Sequence, residues 1–477
     1  MLKDLLYFAY LSASWIMIAY HAIFYYVLYK GVTRYEEPSP AKMETLPMVT
    51  VQVPIYNERY VAVRAISAAC SLDYPRSLMQ VQVLDDSTDD TRQACEEAIA
   101  HYRQSGVNVE YVHRPLREGF KAGALREGLK SAQGEYVAIF DCDFVPQSDF
   151  LQRTLPYFTS EEIALVQTRW THLNEEYSIL TRALGASLDY HFLIEQAGRD
   201  SSGLFLNFNG TAGIWRKEAI ISSGGWHNAL AEDFDLSVRA QLAGWRLRFV
   251  PSLGCPGELP VQMPAAKRQQ FRWAKGAAEC TRRYLLHILR HSSSPFVKLN
   301  AVVQLTRNVQ YVLVLLQFLI LPFLMQFRFD IAPVASTLIQ MSIGPPLHYV
   351  AVRKMYGKET AGKIKNHLLL LFHSGVTFNN ARAFLEGILG VRSDFLRTPK
   401  FGISGSRGEW RGKRYLLSGI GTASVEIALA VYGIASMVVA LFTRNFLLLP
   451  YIGTTAIGLL YVGTMSVYHS IGVRERE

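Results

Sequence analysis

Five stretches of the sequence, residues 5–30, about 309–326, about 331–351, about 416–441 and about 446–470, are near-continuous apolar runs. Each is long enough to cross a bilayer core of roughly 30 Å. Between residues 47 and 300 no such run exists, and the pattern alternates as in a folded α/β domain. The 477-residue chain is therefore expected to combine a soluble domain with a membrane part. The first run lacks a small-residue cleavage site and is followed by Lys30 and Arg34, which favours an uncleaved anchor over a signal peptide.

Charge supplies the orientation. Arg353, Lys354, Lys358, Lys363 and Lys365 face a single acid, Glu359, and the stretch 392–414 is equally basic, so both are expected on the cytosolic side. The segment 366–390 between them, with His367, His373, Asn379, Asn380, Arg382 and Glu386, then suits an amphipathic helix at the interface rather than a sixth span. The expected plan is an anchor (1–32), a cytosolic domain (33–298), a membrane hairpin (299–352), a cytosolic interfacial helix and loop (353–415), and a second hairpin with a short tail (416–477). The N-terminus lies outside, and the protein is integral to an inner or plasma membrane. The net charge of +9 clusters beside apolar runs, so anionic lipid is the expected partner and nucleic acid is not. Five scattered cysteines with no CxxC pair indicate neither zinc nor disulfides, which agrees with a reducing compartment.

Strands are expected at 49–55, 80–84, 108–113 and 135–140, with helices at about 60–73, 89–104 and 121–132. This β-α-β series builds a mainly parallel sheet covered on both faces. Ligands of such sheets collect beyond the carboxyl ends of the strands, and acids recur at those ends. Asp141 and Asp143 can hold Mg²⁺ or Mn²⁺ with few protein ligands, leaving positions for diphosphate oxygens, although two acids can equally cap a helix. Asp85 and Asp86 follow the same logic one strand earlier. Glu232 and Asp233 open an amphipathic stretch, where an acid gains from the helix dipole or takes a proton from an attacking hydroxyl. Gln269, Arg272 and Trp273 join a guanidinium suited to diphosphate to an indole suited to a sugar face; an interfacial helix with an aromatic anchor carries the same residues.

The ordered set Val-Pro-Ile-Tyr-Asn-Glu (53–58), Leu-Asp-Asp-Ser (84–87), Lys-Ala-Gly-Ala-Leu (121–125), Asp-Cys-Asp (141–143), Ala-Glu-Asp (231–233) and Gln-x-x-Arg-Trp (269–273) resembles the family-2 glycosyltransferases of the cellulose synthase type. The segments 187–192 and 209–216 narrow the likeness to the cellulose-synthase-like proteins that make mannan and glucan backbones. The resemblance covers roughly residues 48–290 and implies an α/β GT-A fold joined to a helical transmembrane domain. It implies that Pro54, Tyr56 and Glu58 line a nucleoside pocket, with Asp85, Asp86, Lys121, Gln269 and Arg272 about the nucleotide diphosphate. Asp141 and Asp143 would hold Mg²⁺ or Mn²⁺, Asp233 beside Glu232 would act as base, and Trp273 would stack under the acceptor sugar. Phe395-Leu396-Arg397-Thr398-Pro399-Lys400 resembles a gating loop that brings Thr398 and Lys400 over the nucleotide, departing at Arg397 where the family has valine. Phe208-Asn209-Gly210-Thr211 replaces the family's acceptor motif, placing Asn209, Gly210 and Thr211 at the acceptor.

Polar or aromatic residues inside the apolar runs (Trp15, Tyr20, His21, Tyr25, Gln317, Gln340, Glu426) suit either a hydrophilic path for a glycan or helix–helix bonding and an interfacial aromatic belt. The expected activity is transfer of a hexose from a nucleotide-sugar (UDP-glucose or GDP-mannose) to a growing β-linked glycan, processively and with secretion. The alternatives are transfer of one sugar to a lipid acceptor, giving a glycolipid, and a sugar-binding membrane scaffold without turnover.

Overall fold

The computed structural model describes residues 1–34, 36, 38–327, 335–339, 349–350, 353–354, 357–358, 366–393 and 395–471. Most of the expected span at about 331–351, including Gln340, lies outside the described residues, as does Asp394.

The soluble part is a seven-stranded sheet in the order β3-β2-β1-β4-β6-β5-β7. Its strands are β1 (Val49–Ile55), β2 (Met79–Asp85), β3 (Val109–His113), β4 (Tyr136–Ile139), β5 (Ile163–His172), β6 (Gly213–Arg216) and β7 (Arg246–Gly257). β1 and β2 are buried along their whole length, as expected of a central parallel strand covered on both faces. Their inward polar residues satisfy one another: Thr50 Oγ1 donates to Gln80 Oε1 and Gln52 Nε2 to Gln82 Oε1, both at 2.9 Å. The sheet is mainly parallel, as expected, with one antiparallel strand. β6 runs antiparallel to both β4 and β5, while β5 and β7 are parallel.

The chain lays down β2 and β3 on one side of β1 and then returns to place β4 on the other. Between β1 and β4 lies the switch point where a crevice opens in such sheets. Pro54 marks it. β4 pairs with β1 only as far as Gln52, whose carbonyl accepts from Phe140 N–H. Two residues on, the missing proline N–H faces a side that β4 has left, so it costs no ladder bond.

The N-terminal helix α1 (Leu2–Arg34) belongs to the membrane part, and the helices around the sheet are α2 (Ala62–Cys70), α3 (Thr91–Gln104), α4 (Phe120–Ser131), α5 (Phe150–Thr154), α6 (Ile179–Tyr190), α7 (Ala197–Ser201), α8 (Lys217–Ser222), α9 (Glu232–Leu242) and α10 (Met263–Arg290). The membrane part adds α11 (Pro295–Thr306), α12 (Val309–Met325), α13 (Asn366–Gly375), α14 (Thr377–Leu389), α15 (Ile420–Phe442) and α16 (Leu449–Ile471). Among the described residues, three helical stretches are long and apolar enough to cross a membrane: Leu2–Val27, Ile420–Phe442 and Phe446–Ile471. The α11–α12 pair, bent by 61° at Arg307–Asn308, is a fourth if taken as one span.

The segment 366–390 is two helices instead of one. Phe372 and Val376 are fully buried in a cluster with Leu180 and Leu184 of α6 and Val462 of α16, so this segment wedges between the sheet-bearing domain and the bundle. The polar residues of the apolar runs divide as well. Gln317 Nε2 donates to Ser14 Oγ at 2.7 Å, a bond between α12 and α1. Glu426 of α15 is fully buried and pairs at 2.6 Å with Lys267 of α10, whereas Trp15 is 67% exposed on the outer face of α1.

Candidate active site

The tips of β1, β2 and β4 and the starts of α4, α9 and α10 surround a cleft with about 1090 Å³ of space between atoms, part of it open solvent. Asp141 and Asp143 follow β4, and Thr211 Oγ1 accepts from Asp141 N–H at 2.8 Å, which fixes the strand end. Neither carboxylate is left bare. Lys121 Nζ lies 2.5 Å from Asp141 Oδ1 and Lys400 Nζ lies 2.5 Å from Asp143 Oδ2. Two hard oxygen donors beside an open cleft fit a divalent cation whose remaining positions would come from diphosphate and water. Among the described residues no group of three or more His, Cys, Asp or Glu forms a complete metal cage.

Lys121 is the hub of the site. Besides Asp141 it reaches Glu232 Oε1 at 3.5 Å and donates to the Gly210 carbonyl at 2.9 Å. Burial works against its charge, but Asp141, Glu232 and Asp233 together hold its ammonium above the ordinary lysine range. Burial pushes the Asp233 carboxyl up to about 7, and the neighbouring Glu232 charge adds to this while Lys121 and Arg272 oppose it. Burial likewise raises Glu58 to about 7, against the pull of Arg397. Gly210 sits at φ +87°, and a Cβ there would lie 3.0 Å from Asp233 Oδ2, so only glycine lets the loop pass under that carboxylate.

The segment 395–403 straps the mouth of the cleft. Glu258 at the end of β7 anchors it, its carboxylate accepting from Phe401 N–H (2.7 Å) and Gly402 N–H (3.1 Å) while pairing with Arg64 at 3.0 Å. Arg397 then reaches Glu58 at 3.3 Å, and Phe395 lies under the Arg272 guanidinium at 4.7 Å from its ring centre.

Of the residues singled out from the sequence, Pro54, Tyr56, Glu58, Asp86, Lys121, Asp141, Asp143, Asn209, Gly210, Glu232, Asp233, Gln269, Arg272, Trp273, Thr398 and Lys400 all line this one cleft. Asp85 and Thr211 do not. Asp85 is fully buried and accepts from Tyr111 Oη–H (2.8 Å) and Ser87 N–H (2.9 Å), so it braces the strand tips. Thr211 is also fully buried and reaches the cleft only through Asp141. Asp86 lines the cleft with its charge already matched by Arg114, at 2.8 and 2.5 Å. Sequence reasoning missed Arg117, whose guanidinium covers the Tyr56 ring at 3.5 Å, and also Glu258. Both follow strand ends, the signal that identified the other acids; the prolines and glycine in β7 (Pro251, Gly254, Pro256) hid that strand.

Residues 47–276 match the family model described as "Glycosyltransferase like family 2". The chain is 46% identical over 256 residues to a probable glucomannan 4-beta-mannosyltransferase of Oryza sativa subsp. japonica, covering 52% of this chain and 45% of the relative. It is 45% identical over 258 residues to a glucomannan 4-beta-mannosyltransferase of Arabidopsis thaliana, covering 53% and 48%. The chain thus spans about half the length of the curated relatives it matches. Among solved structures, a mannosyltransferase from Pyrobaculum calidifontis in complex with GDP-Man and Mn²⁺ superposes with a TM-score of 0.54 at 17% identity, covering 81% of this chain and all of that one. At that identity the likeness is one of fold, and the soluble domain has the GT-A fold that the resemblance implied.

Proposed function

Residues 47–276 of this chain are a family-2 glycosyltransferase domain of the cellulose-synthase-like type, and from that premise we propose that the protein transfers a mannosyl group from GDP-mannose to a growing β-linked glycan at a membrane, inverting the anomeric carbon. One observation carries the reading: Asp141, Asp143, Asp233, Arg272 and Trp273 open into a single cleft, and the helix that bears Arg272 and Trp273 is ion-paired to a candidate membrane span. The mannosyl group and the β-1,4 linkage follow the names of the sequence relatives, glucomannan 4-beta-mannosyltransferases.

In this reading Asp233 takes the proton of the acceptor hydroxyl as its oxygen attacks the anomeric carbon and the bond to the nucleoside diphosphate breaks. One displacement without a covalent intermediate turns an α-linked donor into a β-linked product. Lys121 and Arg272 stand where the leaving diphosphate gathers charge, and preformed cations in a desolvated site are effective there. A divalent cation on Asp141 and Asp143 would supply further neutralisation of that charge. Trp273, with its ring centre 6.5 Å from that of Trp170, offers an aromatic face to the terminal acceptor sugar. The catalytic domain faces the cytosol, on the strength of the basic loops, and the bundle gives the product a way out.

The test is nucleotide release by the purified full chain in nanodiscs, offered GDP-mannose or UDP-glucose, with sizing of the product. Polymer from GDP-mannose is the expected result. Single-sugar lipid would replace the processive reading, and release from UDP-glucose alone would replace the donor. Asp143→Ala is expected to remove the metal dependence of GDP binding in calorimetry; undiminished metal-dependent binding counts against the assigned ligand. Trp273→Ala is expected to slow transfer at least tenfold more than donor hydrolysis, and equal losses would make Trp273 structural.

A further inference from the structure

We propose that His191 is a positioning residue that fixes the Asn209 amide for a pair of acceptor hydroxyls, a role that rests on the acceptor site placed above. His191 opens a one-turn π-helix, His191–Gln196, spliced between α6 and α7. Such turns occur chiefly at functional sites, and this one aims three side chains into one hydrogen-bonded chain.

The direction of every bond in that chain follows from its two ends. The Asn207 carbonyl can only accept, so Gln196 presents Nε2 to it at 2.7 Å. The same Nε2 donates to Asn209 Oδ1 at 3.0 Å, which turns Asn209 Nδ2 towards His191 Nε2 at 2.9 Å. That ring nitrogen must therefore accept, and the proton resides on Nδ1, which donates to Glu195 Oε2 at 2.8 Å. Glu195 closes the chain as an ionised carboxylate held by Arg307 at 2.6 Å and Arg199 at 3.5 Å. Burial keeps the imidazole neutral by lowering its basicity, so the Nε2 lone pair stays available.

Asn209 retains one N–H and one Oδ1 lone pair at the wall of the cleft. A donor and an acceptor side by side match two adjacent hydroxyls of a hexose, one accepting and one donating. Reversing the amide would set Nδ2 against Gln196 Nε2 and Oδ1 against the His191 lone pair, so the orientation is enforced at both ends. Arg307 lies at the break between α11 and α12, which ties the orientation of this cleft amide to the membrane bundle.

The experiment measures binding of a soluble β-linked mannohexaose to the full chain in nanodiscs, alongside hydrolysis of GDP-mannose without acceptor. His191→Phe keeps the ring and loses the acceptor nitrogen; it is expected to weaken oligosaccharide binding at least tenfold while hydrolysis stays within twofold. His191→Gln, whose Oε1 can stand in for Nε2, is expected to recover binding to within threefold of the parent. Should His191→Phe fail to fold, His191→Leu replaces it, a smaller side chain that likewise has no acceptor nitrogen. Binding within twofold of the parent in either variant, or hydrolysis falling in step with binding, overturns the proposal. A parent that binds the oligosaccharide yet releases no nucleotide from any sugar donor overturns the proposed function and leaves the binding ratio to decide His191. A parent that does neither overturns both.

Discussion

Asp233→Asn is expected to lower turnover by ~10²–10⁴-fold, the usual contribution of a positioned general base, with GDP affinity little changed. The amide keeps the shape over Gly210 but cannot take the acceptor's proton. The parent should also show an acid limb. Asp233 must be ionised to work, and its carboxyl is raised to about 7, so kcat/KM should fall about tenfold per pH unit below that point. The sign for stability runs the other way. Between the ordinary carboxylate range and pH 7 the folded protein holds a proton that the unfolded chain releases, so folding stability declines as pH rises through that window. An amide has no proton to release there, and the Asp233→Asn variant should melt higher than the parent at pH 8 while being inactive. Thermal unfolding at pH 5 and pH 8, set beside turnover, checks both signs. A variant of parental turnover removes Asp233 from the role of base.

Lys121→Met is expected to be the most damaging single change to the cleft as a structure. Its ammonium, 13% exposed, is the shared counter-charge of Asp141 and Glu232 and the donor to Gly210. Removing one partner of a buried ion pair costs about 3–5 kcal/mol, because the remaining charges lose compensation. Asp233 also loses a cation that opposes its upward shift, so the acid limb should move to higher pH. Activity near neutrality should drop by about 100-fold or more, since a preformed cation aimed at leaving-group charge contributes about that much. Lys121→Arg should recover stability better than rate, because a planar fork does not match the contacts of a compact ammonium. An unchanged melting temperature in Lys121→Met, measured by differential scanning fluorimetry, would show that Lys121 is not the hub.

The parallel half of the sheet was legible because its strands obey simple rules. β1 and β2 alternate aliphatic with polar residues, β4 is a short apolar run, all three end in polar turns, and acids follow their tips. The antiparallel insertion of β6 was not legible, since four residues of Gly-Ile-Trp-Arg carry no periodicity and their partners are set by tertiary pairing. Convergence of the motifs on one cleft could be anticipated from strand order, but the difference between Asp85 and Asp86 could not. Adjacent residues at a strand end point to opposite faces, and only the observed register decides that Asp85 turns to Tyr111 while Asp86 turns to the cleft. The apolar runs announced the membrane helices. The bend at Arg307–Asn308 and the burial of Glu426 against Lys267 lay beyond composition, because hydropathy averages over the polar residues that decide how such helices join.

Helix α10 carries both the Lys267 ion pair to α15 and, six residues later, Trp273. At 1.5 Å of rise per residue, an unbroken helix sets these two points about 9 Å apart along its axis. In the proposed function, the chain tip that stacks on the indole is thereby held at a constant depth from the bilayer, as by a gauge. One residue inserted between Lys267 and Gln269 would swing Gln269, Arg272 and Trp273 together by about 100° around the axis. Sugar addition and entry of the product into the bundle would then fall out of step.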